Sequence, residues 1–312
     1  MKVAAALCLL ALLGCGGSSN ATPSTPLPVR AHTAGQELLA KAPLGADLIL
    51  EIDLARLREN AALGPLLTGL AAPKSLGSID LLQGAQAALI CVYDIGDDPR
   101  QLIILQMNAQ PQEFGQEQAI RSLGTGYWGI GDSALLRQAE ALTESAGSML
   151  MDSAARRMRE QVMPAAADNA AFRLVARLDF DARVALASKV GVSEVPVSIA
   201  VWGDVVDDLA IVMDLATEEQ GADARLAGAM EALRSRLARQ VYVRYLGLSD
   251  AVRKIRILRT PRGLRAVFVL PPKSLARFVQ RVERQLGPDT TITPDATVPN
   301  AIVPNKNTSE EE

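Results

Sequence analysis

The chain has 312 residues, 49% of them apolar, 21% charged and 4% aromatic, with a formal net charge of -3. That apolar share excludes a chain disordered throughout, and the length suits one large domain or two ordinary ones. No apolar run reaches the roughly 18 residues of a membrane-spanning helix, and three cysteines and one histidine exclude a disulfide framework and an ordinary zinc site.

Met1-Lys2 gives a short positive start, and Val3 to Leu13 is an apolar run of 11 residues. The run is too short for a bilayer core of about 30 Å and suits the hydrophobic region of a secretory signal. It ends in Leu12-Leu13-Gly14-Cys15, which resembles the lipobox of bacterial lipoproteins. The resemblance implies diacylglyceryl transfer to the Cys15 sulfur, cleavage after Gly14 so that 1–14 is a signal peptide, and N-acylation of the new terminus. Gly16 in place of Asp implies, within that family, the outer membrane with the body in the periplasm. Several acyl chains hold a protein stably, so the membrane is the first expected partner. Residues 15–33, beginning Cys15-Gly16-Gly17-Ser18-Ser19, lack a periodic apolar face and read as a flexible tether.

Gln36 to Lys41 reads as one or two helical turns stopped by Pro43, and Ala46 to Asp53 as a strand. A helical segment from Leu54 to Leu63 is expected to break at Gly64-Pro65. Ala87–Tyr93 and Gln101–Met107 are apolar runs around the polar Asp94–Pro99, the pattern of a hairpin. Ala134 to Ser145 and Met151 to Val162 read as helices. Phe172 to Asp179 is again a strand ending in Asp, followed by a helical run to Lys189. Val197–Trp202 and Leu209–Asp214 form a second expected hairpin across Gly203–Asp208. Ala222 to Ala238 carries Leu226, Met230, Leu233 and Leu237 at helical spacing. Three strands are then expected, at Gln240–Tyr245, Arg253–Leu258 and Leu264–Leu270, the last two joined by the turn Thr260-Pro261-Arg262-Gly263. The last helix follows Pro271-Pro272, presents Leu275, Phe278, Val279, Val282 and Leu286 on one face, and ends at Gly287-Pro288.

Strand-Asp-helix-hairpin therefore occurs twice, with Asp53 answering Asp179 and the Ile103 run answering the Ile211 run. The unequal spacings leave open both an internal duplication and plain reuse of a common α+β unit. The order of elements resembles an uncharacterised group of envelope proteins with duplicated α+β units, which implies a fold and no activity. The expected fold is α+β: two tandem strand-helix-hairpin units with antiparallel sheets and packed helices. The first spans 34–150 and the second 151–287, before a disordered tail at 288–312 that ends in three glutamates.

Gly124-Thr125-Gly126-Tyr127-Trp128-Gly129 spells a dinucleotide-binding pattern, but Tyr and Trp stand where backbone must approach pyrophosphate. A glycine-rich edge strand or turn seating Trp128 on the core explains it, and no cofactor is expected. Gly131-Asp132-Ser133-Ala134-Leu135 resembles the nucleophile block of the Gly-Asp-Ser-Leu hydrolases, whose serine needs a histidine base. The sole histidine, His32, lies in the tether. A helix N-cap at Asp132 or Ser133 accounts for the same residues. Cys91 in an apolar strand reads as an inert buried thiol. Asp97-Asp98 and Asp207-Asp208 read as turn residues, with a carboxylate-based hydrolase as the remote alternative. No catalytic or metal-ligating residue is assigned, and the protein is read as not an enzyme.

Charge carries the functional content. Residues 225–284 hold 15 basic and 3 acidic side chains, whereas 15–224 hold 15 basic and 27 acidic ones. Arg277, Arg281 and Arg284 repeat at helical spacing opposite Phe278 and Val282. Lys254 and Arg256 alternate on one side of an expected strand, next to Arg253. These six residues are the candidate surface for an anionic glycan, a lipid headgroup or a protein partner. Without aromatic interleaving, nucleic acid is not expected. Two alternatives stand beside it: the basic segment docks on the acidic remainder, or a small-molecule pocket lies between the two units.

Overall fold

The computed structural model describes residues 33–69, 84–95, 98–108, 119–145, 154–190, 192, 194–218 and 221–286. The lipobox with Cys15, the tether as far as His32, and the tail lie outside the described residues, and Thr33, read as the end of the tether, opens the first helix. The fold is α+β, as expected. The first half of the chain gives α1 (Thr33–Ala40), β1 (Leu48–Asp53), α2 (Leu54–Glu59), α3 (Leu63–Gly69), β2 (Ala87–Tyr93), β3 (Arg100–Gln106), β4 (Ala119–Ser122), β5 (Tyr127–Gly131) and α4 (Ser133–Ser145). Next come α5 (Ala154–Val162), β6 (Phe172–Arg177), α6 (Phe180–Val190), β7 (Ser198–Val205), β8 (Leu209–Ala216) and α7 (Ala222–Arg239). The chain closes with α8 (Val241–Tyr245), α9 (Ser249–Arg253), β9 (Arg256–Thr260), β10 (Gly263–Leu270) and α10 (Pro272–Leu286).

All ten strands join one antiparallel sheet in the order β4-β5-β3-β2-β1-β6-β7-β8-β10-β9. Each half therefore repeats one plan, a strand, a hairpin partner pair, and then a second hairpin inserted in reverse order. The halves meet where β1 pairs with β6. Ile49 lies opposite Val175, and Asp53 and Asp179 are the same number of residues further along their halves. Both aspartates cap the helix that follows. Arg56 N donates to Asp53 Oδ1 at 2.9 Å and Ala182 N to Asp179 Oδ1 at 2.7 Å, which satisfies first-turn N–H groups that lack helical partners.

Strand alternation sends successive side chains to opposite faces. On one face Ile49, Leu89, Cys91, Ile104 and Val175 pack with Leu38 and Leu39 of α1, Leu135 and Leu136 of α4 and Met158 of α5. On the reverse face Leu50, Leu174, Met213, Leu264 and Phe268 pack with Leu226 of α7, Val252 of α9 and Leu275 and Val279 of α10. Full burial of each such side chain stabilises by about 1.5–3 kcal/mol. α10 takes its amphipathic form from that packing: Leu275 and Val279 are buried one turn apart while Arg277 and Arg284 face out.

Three expectations fail locally. Gly64-Pro65 does not end a helix but lies in the first turn of α3, where proline removes no intrahelical bond. The break comes earlier, at Asn60, whose Oδ1 accepts from Ala62 N and Leu63 N, both at 2.9 Å. Residues 240–245 are a helical turn, α8, and not a strand. β10 already occupies the free edge of β8, and Val243 and Leu246 are drawn into the core instead. Residues 253–258 are likewise split, since Arg253 ends α9, Lys254 is its C-cap, and only from Arg256 does the chain enter β9.

Candidate functional site

The six basic residues divide between the two sides of the sheet. Arg256 pairs with Val267 on β10, so it points away from the layer that holds α10. Arg253 and Lys254 are exposed at the end of α9, on the helical side, and Arg253 reaches Asp250 at 3.3 Å, an exposed pair of little weight. The three arginines of α10 do come together. Arg281 is half-buried and donates from Nη1 to Tyr245 O at 2.7 Å, tying α10 to the end of α8. It lies against Gly247, where a Cβ would come within 2.3 Å of that guanidinium. Arg277 and Arg284 flank it, exposed, with no ionic or hydrogen-bond partner among the described residues.

The helical turn of α8 adds what the strand reading missed. Val241, Tyr242 and Tyr245 are exposed to 80%, 47% and 51%, an apolar and aromatic edge beside the arginine row. Arg281 is thus a positioning residue, and the surface it organises is arginine with tyrosine rather than arginine alone. Tyrosines at 242 and 245 are one helical turn apart, a signal that helical spacing could have given had α8 been recognised. Elsewhere in 225–284 part of the positive charge is neutralised locally. Arg265 grips Asp214 with two bonds of 2.7 and 2.8 Å and lies 5.5 Å over the Trp202 ring. Arg225 meets Glu194 at 2.9 Å, and Arg234 donates to Ile255 O at 2.9 Å.

A second constellation sits where the halves join, and the sequence reading did not find it. Glu51 of β1 and Arg173 of β6 are register partners, each buried to more than nine-tenths. Arg173 Nη2 donates to Glu51 Oε2 at 2.9 Å, and Arg159 Nε of α5 forms an ion pair with Glu51 Oε1 at 3.2 Å. Arg159 Nη2 then reaches Asp168 Oδ1 at 2.9 Å, and Arg173 Nη1 the Asp168 carbonyl at 2.6 Å. Burial pushes the Glu51 carboxyl above its ordinary range while the two guanidiniums pull it back. Two acids and two arginines balance, and the network reaches water through Asp168, which is 64% exposed. A Glu in β1 and an Arg inside β6, each among apolar neighbours, are the available signal. Their pairing across 122 residues becomes legible only once β1 and β6 are neighbours.

A cleft of about 140 Å³ opens beside this network, lined by Glu51, Ile52, Asp53, Arg173, Gln106 and Leu38 among others. Two more lie in the second half. One of about 70 Å³ is apolar, between α7 and β7–β8, and includes Leu226, Met230 and Met213. One of about 380 Å³ lies between the end of α5 and β8–β10, where Arg265 is already bound to Asp214.

The remaining motifs resolve without chemistry. Gly124 and Gly126 adopt φ of 97° and 79° in the β4–β5 turn, and Trp128 packs with Leu105 and Ile130. Asp132 Oδ1 accepts from Ala134 N and Leu135 N at 2.9 and 3.0 Å, which makes it the N-cap of α4. Cys91 is fully buried and its thiol is pushed up to about 12 by desolvation. Asp98 and Asp207 are exposed turn residues, and Asp97 lies outside the described residues. Among the described residues no three His, Cys, Asp or Glu side chains converge as metal ligands, and no helix is long and apolar enough to cross a membrane.

No protein-family model matches the chain, and no curated protein matches it either. Among solved structures, TP0453 in crystal form I is similar over 80% of this chain and 98% of its own, with a TM-score of 0.40 and 6% identity. Its crystal form III gives 79%, 97%, 0.38 and 7%. A likeness this distant carries no argument about fold or function.

Proposed function

We propose that this is a non-catalytic, lipid-anchored protein of the bacterial cell envelope, tethered through Cys15 and held at the outer membrane with its body in the periplasm. Its working surface is the α8–α10 face, which binds an anionic envelope component. The observation that carries this reading is the pair Arg277 and Arg284, exposed and without partners among the described residues on either side of an Arg281 fixed to Tyr245 O. Arginine guanidiniums suit phosphate and carboxylate groups. The adjoining Tyr242 and Tyr245 suit a partner that is apolar beside its charge. Arg256 is not part of this face, because it lies across the sheet.

The test uses the full chain with Cys15→Ser, so that acylation does not supply the attachment. Binding to vesicles containing acidic phospholipid, and separately to lipopolysaccharide, is followed across a salt series beside Arg277→Ala/Arg284→Ala. The expected outcome is binding that weakens with salt and falls about thirty-fold in the double variant, from about 1 kcal/mol per arginine near a charged surface. Binding to neither at low salt, or equal binding by the variant, would sink the proposal.

A further inference from the structure

We propose that the cleft at the β1–β6 junction is a binding site for a small, uncharged molecule carrying a carboxamide. The inference is independent of the basic face.

Two buried polar atoms line this cleft with no hydrogen-bond partner among the described residues, Arg173 Nε and Gln106 Oε1. One is a donor that always carries its proton and the other an acceptor. Leaving such groups unmade is unfavourable, so a protein that keeps two in one cleft gains by bringing something to them. Arg173 cannot turn away to find solvent. Its two terminal nitrogens are fixed to Glu51 and to the Asp168 carbonyl, which aims the remaining N–H. Gln106 is set by its register opposite Ala87 and Tyr127 in the sheet.

The chemistry of the occupant follows from the walls. The ligand must accept from Arg173 Nε and donate to Gln106 Oε1, which an amide does with its carbonyl and its N–H. It needs no charge, because Glu51 and Asp168 balance Arg173 and Arg159. An anion is disfavoured, since two carboxylates, those of Glu51 and Asp53, line the cleft, and Glu51 and Asp168 already balance the charge of Arg173 and Arg159. Leu38, Ile52, Ala87 and Ala88 offer an apolar wall for the rest of the molecule. A volume of about 140 Å³ admits several waters or roughly ten non-hydrogen atoms.

Nicotinamide, benzamide and nicotinate serve as probes by ligand-detected NMR, with the full Cys15→Ser chain as the protein. Nicotinamide and nicotinate share a ring and differ in amide against carboxylate, so they separate the amide requirement from simple filling. The amides are expected to bind at about millimolar Kd, and nicotinate at least about ten-fold more weakly. Gln106→Leu removes the acceptor without touching the ion network. It is expected to weaken amide binding about ten-fold while leaving Tm unchanged or raised, because an orphan acceptor is gone. Should that variant fold poorly, Ala55→Phe fills the cleft from α2 and is expected to abolish binding. No binding of either amide, equal binding of nicotinate, or full binding by the variants would overturn the proposal and leave a cleft that holds only water.

Discussion

In the first half of the sheet α1 and α4 cover the face bearing Leu89 and Ile104, whereas in the second α7, α9 and α10 cover the reverse face bearing Met213 and Phe268. The strand order is the same in both halves, and so is the Asp that caps the helix after the leading strand. Strand order therefore does not dictate where the later helices pack; the apolar alternation of the outer strands does. Charge diverges further than shape. The first half buries its exceptional charge, Glu51, against arginines from the second, while the second half leaves Arg277 and Arg284 in water. Buried charge must be balanced inside the protein, and exposed charge stays available to something outside it.

The junction is where that comparison breaks most easily. Glu51→Leu leaves Arg173 and Arg159 buried without their shared carboxylate, and the expected loss is about 3–5 kcal/mol in urea unfolding. One transition shifted to lower urea is expected, because β1 and β6 share five register pairs and the halves unfold together. Two transitions would show that each half is a cooperative unit of its own.

Paired glycines sharpen the comparison next. Gly131 closes β5 at φ 141° and Gly263 opens β10 at φ 144°. A Cβ at either would come within 2.2 Å of Gln101 O or 2.1 Å of Leu215 O, the backbone of the neighbouring strand. Gly131→Ala and Gly263→Ala are each expected to cost about 2–4 kcal/mol, measured by thermal and urea unfolding. Near-equal losses would mean that both halves depend on the same close strand approach. A much smaller loss at one would show that its strand can yield.

Much of this architecture was legible because strands announce themselves by alternation and helices by spacing. Leu48 to Asp53, Phe172 to Arg177 and the hairpins of Ile103 and Ile211 read directly, and so did the cap at Asp132, whereas Asp53 and Asp179 read only as the ends of their strands. α8 was not legible, since Val-Tyr-Val-Arg-Tyr has the composition of a strand and only the prior claim of β10 on the sheet edge makes it a helix. The arginine row on α10 was readable from spacing, but the fixed role of Arg281 depends on a carbonyl 36 residues away. Arg256 shows the opposite limit. Its charge counted toward the basic segment, yet one residue of strand register puts it on the far side of the sheet. The junction cleft was illegible for a related reason, because Gln106 and Arg173 become neighbours of one space only through the pairings of β1 with β2, β2 with β3, and β1 with β6.

The smallest effect tests the likeness of the halves most directly. Asp53 and Asp179 hold the same position and make the same bond to the helix three residues on, so Asp→Ala at either is expected to cost about 1 kcal/mol. Asp→Asn at either is expected to restore nearly all of it, because asparagine caps as well as aspartate and the bond needs an oxygen, not a charge. Asp53 differs in one respect, since it also lines the junction cleft. If Asp53→Asn stays destabilised while Asp179→Asn recovers, the carboxylate at 53 serves the junction beyond its cap, and the halves have parted in function at the one residue where the sequence makes them look most alike.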